Sequence, residues 1–309
     1  MRSHPSRFPD FLVVGAAKSG TTTLHHHLAR HPRVFLPKGK ELWFWHQNRN
    51  PNQGIFSLPN TSMPIRLEDY LAHFREAHPD QILGEVCPSY LYYHEYTIET
   101  LKEFHPNWRD VRIIILLRDP LDRIRSEYRF VRAMRLDPER LSFAESIRRE
   151  EERKKDNRLL LDLHYLALSM YTDQVKAYLD VFPNTRVYLF DELTATPETV
   201  LRDVISFLNL PPLTEAGVDR SEVHNKTVLP PVSRSRTHGT IHDMASTIGR
   251  MLLPPAGRKR VRQTLGSWFF KPDQVEYDPA TLDWLRQQLR PDVERLSGLL
   301  QRDLSHWLH

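Results

Sequence analysis

The chain carries one cysteine, Cys87, in 309 residues. That excludes an internal disulfide and a thiolate metal cluster, and it makes a reducing compartment the simplest setting. Long apolar runs are missing as well. No stretch approaches the roughly 20 apolar residues needed to cross a bilayer. The opening MRSHPSRFPD has no apolar core behind its arginines, so no signal peptide is expected and the expected location is cytoplasmic. Charge of one sign is also in short supply. The net +4 suits a small anionic ligand, but it is too slight and too dispersed to suggest nucleic acid, and the basic residues do not cluster with aromatic platforms. Internal repeats and low-complexity tracts are absent.

What is present is an ordinary globular composition, 40% hydrophobic and 27% charged, with length enough for a substantial core. Residues 11–16 are an apolar run ending near Gly15, and a helix is expected from about Gly20 to Arg30. RVFLP (33–37) is a short strand candidate. QILGEVCPSYL (81–91) and VRIIILLRDP (111–120) are near-continuous apolar runs closed by turn signals, as in parallel strands covered on both faces. RVYLFDEL (186–193) repeats that pattern. It leads into TPETVLRDVISFLNLPP, where Thr196 can cap a helix with Pro197 at its first position. From residue 279 an amphipathic helix is expected, ending in QRDLSHWL, whereas 219–240 reads as loop. The run RREEERKK (148–155) reads as a solvated helix pairing Glu150 with Lys154 and Glu151 with Lys155, the other reading being a basic contact patch. Strands alternating with helical segments predict an α/β fold, a central parallel β-sheet flanked by α-helices on both faces. No second domain is legible, so a single domain over 1–309 is expected.

Two stretches carry chemistry. In FLVVGAAKSGTTTL, Gly15 and Gly20 keep the glycine spacing of a phosphate-binding loop, G-x-x-x-x-G-K-[ST]. The lysine, however, sits inside the loop as Lys18, and Thr21 and Thr22 follow the second glycine. A strand-to-helix turn converges backbone N–H groups on an anion. Lys18 adds a charge, and Ser19, Thr21, Thr22 and Thr23 add hydroxyl donors. The Ser/Thr that holds magnesium in triphosphatases needs a lysine before it, and that order is missing here. In LLRDPLDRIRSEY (116–128), Arg118 falls at the end of a strand, the edge where open α/β sheets bind ligands. Ser126, about two helical turns on, can share one phosphate with its forked guanidinium. Read singly, each stretch is also compatible with a plain turn and a surface arginine. His25, His26 and His27 point in different directions on a helix. His238 and His242 are spaced i,i+4 but lack a third ligand, so no metal is expected.

Together the two stretches resemble the nucleotide-binding motifs of sulfotransferases that use 3′-phosphoadenylyl sulfate (PAPS). The resemblance implies a P-loop-containing fold, with PAPS as co-substrate, its desulfated product PAP, and no metal. It implies that Lys18, Ser19, Gly20, Thr21, Thr22 and Thr23 hold the 5′-phosphosulfate, and that Arg118 and Ser126 hold the 3′-phosphate. VYLFDELTATPETVLRDVISFLNLP, HNKTVLPPVSRSRTH and QRDLSHWL are similar to soluble bacterial members. KGKELWFW resembles the E-[VI]-[HQ]-F-F stretch of heparan-sulfate-type enzymes, which implies Glu41 as the catalytic base with Phe44 and Trp45 in the aromatic places. Lys40 beside it would pair with that carboxylate or touch the sulfo group. GEVCPSYLYY resembles E-K-[ST]-P-x-Y, but Val86 stands where that motif has a lysine. Lys40 is the first candidate to replace it, and Glu85 is the alternative base. Cys87 is expected as a small buried residue, and Tyr90, Tyr92 and Tyr93 as pocket lining or core. The late loop implies Arg234 and Arg236 over the 3′-phosphate. The acceptor would be a hydroxyl or amine on a carbohydrate, lipid or natural product. The rival functions are a divergent P-loop kinase or triphosphatase, with Asp119 holding magnesium, and a non-catalytic nucleotide-binding module.

Overall fold

A computed structural model describes residues 7–47, 66–134, 141–154, 163–212, 232–233, 270–271 and 275–309. Strands β1 (Phe11–Gly15), β2 (Val34–Phe35), β3 (Ile82–Val86), β4 (Arg112–Leu117) and β5 (Thr185–Leu189) form one sheet in the order β2-β3-β1-β4-β5. Every pairing in it is parallel. The described helices are α1 (Thr21–Ala29), α2 (Phe44–Gln47), α3 (Leu67–Ala72), α4 (Ser89–Tyr92), α5 (His94–Phe104), α6 (Pro120–Met134), α7 (Phe143–Arg148), α8 (Glu150–Lys154), α9 (Thr172–Val181), α10 (Phe190–Ala195), α11 (Pro197–Phe207) and α12 (Pro279–Leu300). A separate antiparallel pair joins β6 (Val232–Ser233) to β7 (Phe270–Lys271).

The sheet is covered on both faces, as the sequence led us to expect. Alternate residues along a strand face opposite ways. Leu12, Val14, Ile113, Ile115 and Leu117 enter one core with Val175 and Tyr178 of α9. Phe11, Val13, Ile114 and Leu116 enter a second core with Leu24 and Leu28 of α1 and Val200 and Val204 of α11. Both halves of each central strand must therefore be apolar, which is why the runs read as continuous. Gly84 is glycine for a packing reason: a Cβ there would lie 2.0 Å from the Phe11 ring.

Several boundaries differ from the expectation. The 81–91 run is strand only to Val86, and Ser89–Tyr92 is already helix. Likewise β5 stops at Leu189, because Glu192 reaches back to accept the Leu189 N–H at 3.0 Å and starts α10. Pro197 does open α11, but the Thr196 hydroxyl donates backwards to the Glu192 carbonyl at 3.2 Å instead of capping the helix. The charge run is helical over 150–154, yet Glu150 is buried. Its carboxylate accepts the Leu166 and Ala167 N–H groups at 2.7 and 2.8 Å, satisfying two amides of an inward turn. The C-terminal helix is present as α12, capped by Asp278 on the Thr281 amide at 3.0 Å. Buried Asp292 ties it to α9 by accepting the Tyr171 N–H at 2.7 Å. Apart from β6, the 219–240 stretch lies outside the described residues.

The connection from β1 leads to β2 on one side and that from β4 leads to β5 on the other. The adjacent C-terminal ends of β1 and β4 thus flank a topological switch point, where such sheets bind ligands.

Candidate active site

After Gly15 the chain turns tightly, with Lys18 at φ 65° and Gly20 at φ 90°. A Cβ on Gly20 would lie 2.9 Å from Leu193 Cδ2 and 3.1 Å from Phe190 Cδ2, so glycine is required by conformation and by space. Helix α1 begins at the next residue with no side-chain cap on Gly20, so its N-terminus stands at this sheet edge. Ser19 and Thr21 are buried, and Thr22 and Thr23 are half-buried. The Lys18 ammonium stands 3.6 Å from the centre of the Phe130 ring on α6.

Arg118 emerges from β4 onto this loop. Its Nη1 donates to the Lys18 carbonyl at 3.3 Å, its guanidinium carbon lies 4.6 Å above the Phe190 ring, and its Nη2 is 3.8 Å from Asp122. Ser126, buried on α6, lies one turn beyond Asp122. The two stretches singled out in the sequence therefore meet at one sheet edge. Asp119 caps α6: its Oδ1 accepts the Asp122 N–H at 2.9 Å, and burial raises its pKa. Two anchors here escaped the sequence reading, the Phe130 ring under Lys18 and the Phe190 ring under Arg118. A third is Arg123, fully buried, which donates to Glu127 at 3.0 Å, to the Ser169 hydroxyl at 2.6 Å and to the Tyr165 carbonyl at 3.0 Å. The i,i+4 spacing of Arg123 and Glu127 was the one signal available for the last.

The KGKELWFW stretch arrives from the other side. Lys40 Nζ donates to Thr22 Oγ1 at 2.8 Å and lies 3.1 Å from Glu41 Oε1, so one ammonium joins the phosphate-type loop to the candidate base. The side chains of Lys40 and Glu41 remain 22% and 31% exposed, open to a ligand. Glu41 and Trp43 both adopt left-handed φ values, 68° and 57°. Such conformations cost about 1–3 kcal/mol each and persist only where surroundings hold them. Here the Glu41 N–H donates to the Val86 carbonyl at 3.2 Å, while the Val86 side chain packs into the core under α1.

Glu85 differs sharply from Glu41, being 1% exposed. Its Oε1 accepts the Leu42 N–H at 3.1 Å and the Tyr90 hydroxyl at 2.7 Å, and its Oε2 accepts the Tyr70 hydroxyl at 2.7 Å. Burial pushes its pKa up to about 7 against the opposing pull of the Tyr90 and Tyr70 hydrogen bonds. Tyr90 is thereby a core residue; Tyr93 is buried and Tyr92 half-buried. Cys87 is buried as expected, and burial drives its thiol pKa well up, away from nucleophilic chemistry. Of the remaining candidates, Arg234, Arg236, His238 and His242 lie outside the described residues. Among the described residues no group of three metal-ligating side chains occurs, and no helix is long and apolar enough to cross a membrane.

A sulfotransferase domain model matches residues 8–228, the span that holds β1–β5 and α1–α11. This chain belongs to the sulfotransferase domain family. The sulfotransferase from Alicyclobacillus acidocaldarius superposes with a TM-score of 0.67 at 26% identity, covering 98% of this chain and 100% of that one. The bifunctional heparan sulfate N-deacetylase/N-sulfotransferase 3 of Homo sapiens is 28% identical over 222 residues, 67% of this chain. The membrane-associated sulfotransferase kil1 of Dictyostelium discoideum is 29% identical over 125 residues, 40% of this chain. The aligned part is 23% of the length of each of these last two proteins.

Proposed function

We propose that this chain is a single-domain enzyme that moves a sulfo group from PAPS to a hydroxyl or amine of an acceptor by in-line transfer. The 5′-phosphosulfate sits on the amides at the start of α1 with Lys18, Ser19, Gly20, Thr21, Thr22 and Thr23. The 3′-phosphate takes the fork of Arg118 and the Ser126 hydroxyl, with Arg234 and Arg236 completing that end. The acceptor oxygen or nitrogen bonds to sulfur as the bond from sulfur to the phosphate oxygen breaks. Glu41 takes the acceptor proton, and Lys18 stabilises the charge that develops on the departing phosphate. Lys40 supplies the cation that Val86 lacks. The observation that carries this reading is the double contact of Lys40 with Thr22 and Glu41, which sets an accessible carboxylate beside the loop.

A carbohydrate acceptor is favoured by the likeness to a heparan sulfate N-sulfotransferase. A cytoplasmic setting belongs to the same reading and rests on the lone thiol. The kinase alternative loses support because Asp119 is spent on capping α6. The test is transfer from radiolabelled PAPS to a panel of glycans, lipids and small alcohols, with calorimetry of PAP binding. Glu41→Gln is expected to bind PAP normally and to transfer nothing. Lys18→Ala and Arg118→Ala are expected to weaken PAP, and unchanged affinity in both would contradict the site.

A further inference from the structure

The turn that presents Glu41 is held from below by the buried carboxylate of Glu85. Successive amides of that turn are claimed by the end of β3: the Glu41 N–H by the Val86 carbonyl at 3.2 Å, and the Leu42 N–H by the Glu85 carboxylate at 3.1 Å. These two bonds bracket residue 41, whose φ of 68° places it in a region few side chains adopt unaided. The grip extends further along the segment. The Trp45 indole N–H donates to the Tyr70 hydroxyl at 2.8 Å, and that hydroxyl donates to Glu85 Oε2 at 2.7 Å. The Tyr90 hydroxyl, on Glu85 Oε1 at 2.7 Å, lies 3.5 Å from the Trp45 amide nitrogen. Phe44 stacks on Tyr70 with ring centres 4.6 Å apart. Glu85 is thus the hub on which both ends of the 41–45 segment converge, and three donors share its two oxygens.

We propose that Glu85 is a positioning residue, which aims the Glu41 carboxylate and the neighbouring Lys40 ammonium at the phosphate-type loop by holding the Leu42 amide and the Tyr70–Trp45 pair. This role rests on Glu41 acting as the base. It also assigns different work to the two glutamates: the half-buried, accessible Glu41 takes the proton, and the buried Glu85 holds the turn that carries it. A displacement of the order of 1 Å at a reacting group can cost about 100-fold in rate, so loosening the turn should appear in turnover and not in donor binding.

The experiment compares Glu85→Leu and Glu85→Gln in the full chain. Glu85→Leu is expected to lower kcat about 10- to 100-fold with PAP affinity unchanged. Glu85→Gln, whose carbonyl oxygen can still accept from Leu42 and Tyr90, should recover most of that loss. Amide hydrogen exchange provides a readout that needs no turnover: the Leu42 amide should lose protection in Glu85→Leu while the amides of β1 and β4 keep theirs. Protection of Leu42 that survives Glu85→Leu overturns the positioning role, whatever the activity. If protection is lost but the unmodified chain transfers sulfo to no acceptor, the proposed reaction fails while the structural hub stands. If Glu85→Leu fails to fold, Glu85→Gln carries the test alone, and full exchange of its Leu42 amide would overturn the role.

Discussion

Gly20→Ala is a compact test of how the loop is built. The residue sits at φ 90°, where a side chain costs about 1–2 kcal/mol. The new methyl would lie 2.9 Å from Leu193 and 3.1 and 3.3 Å from two atoms of Phe190. Overpacking of that kind adds about 1–3 kcal/mol, so the total is about 2–5 kcal/mol. At about 2 °C per kcal/mol for a chain of this size, the melting temperature should fall by about 4–10 °C. The consequence should reach the ligand as well. Phe190 carries the Arg118 guanidinium on its face at 4.6 Å, so a displaced ring disturbs the cation assigned to the 3′-phosphate. Differential scanning calorimetry and PAP titration on the same sample read both effects, and PAP should weaken by about tenfold for each 1.4 kcal/mol lost. Gly298→Ala is the control: it lies in α12 with nothing within 4 Å of a new Cβ, and it should stabilise by up to about 1 kcal/mol. A Gly20→Ala chain that melts with the unmodified protein and binds PAP equally well would refute the reasoning.

Three further outcomes follow from contacts already described. Arg118→Lys keeps the charge but loses the fork, and PAP titration should show affinity reduced about tenfold, the scale of one charge-assisted hydrogen bond. Arg123→Leu leaves Glu127 buried without its partner and should destabilise by about 3–5 kcal/mol in denaturant unfolding, whereas Arg123→Leu with Glu127→Leu should recover much of it. His46 is buried and burial lowers its pKa to about 3, so its contribution to stability is complete above the unfolded value of 6.5 and is lost as pH falls towards 3. His25, lowered to about 4, acts in the same sense. Unfolding curves between pH 6.5 and 4 should therefore show His46→Gln with a shallower loss than the unmodified chain, and equal slopes would count against the assignment.

The alternation of apolar runs with helical pattern was legible in the sequence because each central strand is buried on both faces, a local property of its residues. The spacing of Gly15, Lys18 and Gly20, and of Arg118 and Ser126, was legible for a related reason: a strand followed by a helix places such residues at a sheet edge without help from elsewhere. Boundaries were harder. Apolar continuity ran past Val86 and Leu189, because the buried turns after them are as apolar as the strands. The fate of Glu150 was misread, since i,i+4 charges look solvated until a distant turn supplies amides to accept.

What the sequence by itself determined is the parallel sheet with its loop and its paired cationic stretches. Period, glycine placement and strand ends depend on neighbours along the chain. Only the tertiary structure decided which of two glutamates is accessible and which is buried, that Lys40 links Thr22 to Glu41, and that aromatic rings support Lys18 and Arg118. Each of those depends on side chains from separate elements meeting at one place, and no pattern along a single segment encodes such a meeting.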